Sequence, residues 1–225
     1  MKKLIAVLAA LTLTAPALAE PKIDRWKTPH AMGCMLLQEC TEGVEEIKSY
    51  DDLASLMIYN DEKLEEEFKD LLGEMNRIGI GVFVADAKYF PPGHRGVYHT
   101  VGNNFFLNYT YMNDSHVVLK VMRHEGWHAA QDCMAGTIDN NNIAIIHHPD
   151  RVPVQWNLQA DIAYSSMPAA IPWEREAIWA GHTPFMTSNA LRACKAEDAM
   201  WDLYPPTPKT GEWLIEQGFW DGKTK

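Results

Sequence analysis

Two histidines and a glutamate within five residues carry the clearest chemistry in this 225-residue chain: His124-Glu125-Gly126-Trp127-His128. On a helix, residues four apart project from the same face, so both rings can reach one ion, and imidazole nitrogens bind zinc at about 2.0–2.1 Å. Glu125 stands beside the first of them, within reach of a water on that ion. Zinc lowers the pKa of such a water toward neutrality, the carboxylate takes its proton, and the water attacks a polarised carbonyl carbon. The same carboxylate can then pass the proton to a leaving amine. The reading without chemistry is a pair of histidines exposed on a surface helix.

Such a pair needs a helix beneath it. Residues 115–134 read as one long helix, with Val117, Val121, His124, Glu125 and His128 along one face. Ser115 or Asp114 suits its start and Gly136 its end. Upstream, residues 61–77 carry Leu64, Phe68, Leu71, Leu72 and Met75 at helical spacing, with Gly79 as a stop. Residues 45–59 read as a further helix, and residues 80–85 as a strand. Pro91-Pro92-Gly93 predicts a turn. Residues 97–108 read as one or two strands with Val101, Phe105 and Leu107 inward and Asn103-Asn104 as an interruption. Residues 20–41 read as an irregular segment clipped by cysteines. Downstream, 137–153 is polar and turn-rich; 154–164, 173–181 and 189–203 read as helices. Pro205, Pro206 and Pro208 break the chain before a short amphipathic end at 211–220. Helices, a small sheet, a long helix and a mainly helical remainder make an α+β arrangement.

Bulk properties narrow the setting. Lys2 and Lys3, an apolar run over 4–13 and Ala17-Leu18-Ala19 read as a signal peptide over residues 1–19, leaving 20–225 as a single domain. The expected localisation is exported, periplasmic or extracellular. No stretch reads as a membrane span. The net charge of −10 becomes −12 once Lys2 and Lys3 are removed, which argues against nucleic acid as a partner. Four cysteines in an exported chain point to disulfides in one of three pairings. Cys34–Cys40 as a local clip and Cys133–Cys194 as a long tie are favoured. A cysteine zinc site lacks the necessary Cys-x-x-Cys pair.

The five-residue motif resembles that of the zincin metallopeptidases, which implies a small, mostly antiparallel sheet followed by the long metal-binding helix. A catalytic zinc usually takes a third protein ligand and keeps a position for water. Gln131 and Met134 stand where the metzincin type would have glycine and histidine. Pro172-Trp173-Glu174-Arg175-Glu176-Ala177 resembles the later Glu-x-Glu-Ala stretch of gluzincin-like families, which implies Glu174 as the third ligand; Glu176 and Asp161 are alternatives. Ile178 stands where many gluzincins have an aspartate supporting a ligand histidine, so another group must orient His124 or His128, Asp132 and Asp161 being candidates. Zincins commonly offer an edge strand to an extended substrate, for which residues 102–108 are the candidate, an ordinary buried strand being the alternative.

The resemblance therefore implies a zinc-dependent hydrolase that cuts amide bonds in a peptide or a peptidoglycan-like substrate. The alternative is an exported, non-catalytic zinc-binding or interaction module that retains the fold; the aspartate missing at Ile178 favours it. Tyr164 and His182 are candidates for stabilising an oxyanion. His147 and His148 are neighbours and read as turn residues, and Gln131 lies near the motif face. Oligomeric state has no signature in the sequence.

Overall fold

The computed structural model describes residues 29–194 and 199–223. The proposed leader lies outside them. In chain order the elements are α1 (Pro29–Leu36), β1 (Val44–Glu46), α2 (Tyr50–Ser55), α3 (Glu65–Ile78), β2 (Gly81–Ala85), β3 (Gly96–His99), β4 (Asn104–Asn108), α4 (Ser115–Met134), α5 (Val154–Ala163), α6 (Ile171–Gly181), α7 (Met186–Ala193), α8 (Ala199–Leu203) and α9 (Pro208–Glu216). This is an α+β arrangement.

The strands form one sheet in the order β1-β2-β4-β3. β1 runs antiparallel to β2, β2 parallel to β4, and β3 antiparallel to β4. Side chains alternate across a strand, and here each face has its own cluster. Val82, Val84, Phe105 and Leu107 join the main core with α3, α4 and the C-terminal helices. Ala85 and Phe106 face the other way, into a smaller cluster with Ala31, Met35, Tyr89 and Phe90. Covering both faces leaves β4 buried at all five positions.

Helix α3 ends at Gly79, whose φ of 90° is the left-handed conformation that glycine adopts without a Cβ clash. Helix α4 is capped by the Asp114 carboxylate, which accepts from the His116 N–H, while Ser115 is its first residue. One face of α4 carries Val118, Leu119, Met122 and Ala129 into the core. Gly126, inside the motif, lets α3 and α7 approach: a Cβ there would lie 2.6 Å from Met75 Cε and 2.9 Å from Thr187 Cγ2. The disulfides are Cys34–Cys40 and Cys133–Cys194, the second tying the last turn of α4 to the end of α7. No helix among the described residues is long and apolar enough to cross a membrane.

Several expectations need correction. Residues 20–41 contain α1, so the segment is not wholly irregular. The helix expected over 45–59 is a three-residue strand plus a short helix, because pairing with β2 captures Val44–Glu46. The helix expected over 189–203 is two helices, since Cys194 leaves α7 with extended backbone. Val101 is exposed, in the turn that Asn103 closes with φ 50°. Of the two readings of residues 102–108, the buried strand holds: β4 pairs on both sides, and the edges are β1 and β3.

Candidate metal centre

Helix α4 presents His124 and His128 toward α6, which returns Glu174 from its first turn, and Glu125 beside them reaches β3. Glu174 Oε2 lies 3.2 Å from His124 Nε2, and Glu174 Oε1 lies 3.6 Å from His128 Nε2. One donor atom from each of the three residues falls within 4.8 Å of the other two. Tetrahedral bonds of about 2.0–2.1 Å separate neighbouring ligand atoms by about 3.3 Å, so the two His–Glu spacings fit a shared ion. Glu174 Oε2 is buried and accepts no well-directed hydrogen bond, although His124 Nε2 is near. Two imidazoles and a carboxylate, mostly withdrawn from solvent, are a donor set suited to zinc.

Charge within the trio is strongly coupled. Burial disfavours a His128 cation, but the Glu174 carboxylate outweighs it and raises the His128 pKa to about 9. Burial works against the Glu174 anion too, yet its contacts with His124 and His128 hold it well below the ordinary carboxylate range. Glu174 and His128 each favour the charged form of the other, so a cation entering the trio displaces a proton.

The groups around the trio come from several elements. The Glu125 carboxylate accepts from the main-chain N–H of Tyr98 on β3 at 3.1 Å. β3 comes this close because residue 96 is glycine; a Cβ there would lie 2.8 Å from Val121 Cγ1 and 3.1 Å from Glu125 Cγ. Tyr164, just past α5, is held protonated by burial and then by the charge of Glu174 and its hydrogen bond, with Glu125 adding to the effect. His182 stacks on Trp156 with ring centroids 4.0 Å apart, and its Nδ1 meets the Ile178 carbonyl. Of the two oxyanion candidates, Tyr164 is the one in contact with Glu174.

The orienting group is not an aspartate. Gln131 Oε1 lies 2.8 Å from His128 Nδ1, and Gln131 Nε2 donates to Glu176 Oε2 and to the Trp173 carbonyl. Asp132 accepts instead from the Tyr98 hydroxyl at 2.9 Å, and burial raises its pKa to about 7. Asp161 is exposed and sits 3.6 Å from Arg175. Glu176, the alternative ligand, is buried among Gln131, Trp127 and the N–H groups of Ile146 and His147. His147 stacks on Trp127, and burial lowers its pKa to about 4; His148 is exposed beside Asp150.

Sequence reasoning missed the Tyr98 N–H, since main-chain donors carry no residue signature. It also missed a buried pair under the motif: Arg123 donates to both Glu67 oxygens from the position before His124. Charged residues are seldom buried unless paired, and Glu67 on the core side of an amphipathic helix was the available signal.

No family model matches this chain, and no curated protein or solved structure matches it either.

Proposed function

We propose that this chain is an exported zinc-dependent hydrolase, a zincin-like metallopeptidase of the gluzincin type that cuts amide bonds in a peptide or peptidoglycan-like substrate. The observation that carries the reading is the convergence of His124, His128 and Glu174 donor atoms within 4.8 Å, with the Glu125 carboxylate next to them in sequence and tethered to β3. Two disulfides suit an oxidising compartment outside the cytoplasm.

Zinc, when bound, would supply a Lewis acid and lower the pKa of a nearby water. His124, His128 and Glu174 would hold it. Glu125 takes the proton of the attacking water and returns it to the leaving amine. The Tyr98 N–H keeps its carboxylate on the β3 side. Tyr164 keeps a neutral O–H beside Glu174 that would turn to the oxygen that gains charge. β3 pairs only with β4, and the Tyr98 N–H turns away from β4 to reach Glu125. By the alternation of an antiparallel ladder, the main-chain groups of Gly96 and Tyr98 point away from β4; with the Tyr98 N–H taken by Glu125, those of Gly96 and the Tyr98 carbonyl remain for an extended peptide backbone.

The non-catalytic reading rested on the aspartate missing at Ile178. Gln131 occupies an orienting position at His128, which removes that reason. The experiment is a comparison of the zinc-loaded protein with Glu125→Gln on a fluorogenic peptide library and on purified peptidoglycan. The variant should keep its zinc and lose hydrolysis. Retained hydrolysis sinks the role of Glu125, and a zinc-loaded wild type inert on both probes favours the binding module.

A further inference from the structure

The buried network behind His128 decides which of its two ring nitrogens faces the ion. Three N–H groups there can only donate. The main-chain N–H groups of Ile146 and His147 point at the Glu176 carboxylate at 3.1 and 2.5 Å, and the Trp127 indole N–H joins them at 3.2 Å. Both Glu176 oxygens therefore accept. Gln131 faces this carboxylate at 2.9 Å and the Trp173 carbonyl at 3.1 Å. The Trp173 carbonyl can only accept, so the Gln131 side chain must present its NH2 on this side. Its Oε1 is then left for His128 Nδ1, 2.8 Å away, and an amide oxygen can only accept. Nδ1 must carry a hydrogen, which leaves Nε2, on the side of Glu174, as the nitrogen for the ion.

We propose that Gln131 and Glu176 are positioning residues that lock His128 as the Nδ1–H form with Nε2 as the metal ligand, their polarity set by fixed main-chain groups. This rests on the reading of the trio as a metal centre. Gln131 is 0% and Glu176 1% exposed, so no solvent rearrangement relaxes the lock. The second nitrogen of a ligand histidine commonly donates to a carboxylate, a carbonyl or water. Here a side-chain amide takes that place, and the neighbourhood demands it: a carboxylate at position 131 would stand against the Glu176 carboxylate. The network also ties Trp127 and the 146–147 segment to the same histidine, so one buried carboxylate organises the motif helix and the chain that follows it.

The test uses the zinc-loaded protein labelled with 15N-histidine, together with Gln131→Met, which keeps length without an amide. The wild-type spectrum should show Nε2 of His128 as the zinc-bound nitrogen and a slowly exchanging Nδ1–H. In Gln131→Met, the Nδ1–H should exchange rapidly, and zinc affinity by chelator competition should fall roughly 10–100-fold while the circular dichroism spectrum is retained. Should the variant not fold, the wild-type spectrum alone decides. Zinc on Nδ1 in the wild type overturns the proposal, as does a folded variant with unchanged affinity and a protected Nδ1–H. A wild type that binds no zinc overturns the metal reading itself, which separates the two failures.

Discussion

Replacing Glu67 with alanine should be among the most destabilising single changes in the chain. The Arg123 and Glu67 side chains are 11% and 6% exposed. Arg123 Nε donates to Glu67 Oε1 at 2.6 Å and Nη2 to Oε2 at 2.5 Å, a two-pronged pairing. Glu67 Oε1 also accepts the Phe185 N–H at 2.6 Å, where φ is 57° in the turn before α7. Alanine leaves a buried guanidinium with only a long contact to the Gly181 carbonyl, 3.5 Å from Nη1. Stranding one partner of a buried pair costs about 3–5 kcal/mol, whereas replacing both with apolar groups of similar volume is often neutral. Urea unfolding should therefore show Glu67→Ala losing about 3–5 kcal/mol, and the double variant Glu67→Leu/Arg123→Met recovering most of it. In a chain of this size the single variant should melt on the order of 10 °C lower. Because Arg123 precedes His124, the loss should also loosen the metal helix. A cost below about 1 kcal/mol, the range of an exposed pair, would refute the reasoning.

Three further outcomes follow from the same geometry. Cys133→Ser/Cys194→Ser should cost about 2–4 kcal/mol in denaturant unfolding, since that bridge closes a separation of 61 residues; the bridge spanning 6 should cost less. Folding stability should fall as pH rises from about 4 to about 7, because burial raises the Asp132 pKa above its unfolded value of 3.8 to about 7 and the folded state holds the proton longer. Asp132→Asn should flatten that slope, and an unchanged slope removes Asp132 as its cause. Zinc binding near pH 7.5 should release about one proton from the trio, since Glu174 keeps His128 protonated up to about 9. Calorimetry in buffers of different ionisation enthalpy reads this, and affinity should weaken as pH falls.

The parts legible in the sequence are those fixed by local pattern. The long helix falls at Ser115–Met134 as expected, because its apolar face is continuous and Asp114 and Gly136 punctuate its ends. The two disulfides are the favoured pairing. Glu174 was reachable only through the resemblance, since nothing in the spacing links position 174 to position 128. What failed depends on distant partners. β1 is a strand because β2 offers it a ladder, and its own three residues, Val44, Glu45 and Glu46, do not announce one. Whether β4 is an edge or a buried strand is not decided by its own residues, because strand order is a property of the sheet. The partner of His128 is not one of the expected aspartates; Gln131 takes the place through Glu176 and a carbonyl more than forty residues away.

The most direct measurement is equilibrium zinc binding by the purified protein and by His128→Ala. The account predicts about one zinc per chain in the wild type, lost or greatly weakened in the variant, with Glu125→Gln binding as the wild type does. Wild-type protein that takes up no zinc after reconstitution with excess metal, or a His128→Ala variant that binds as tightly as the wild type, would contradict it.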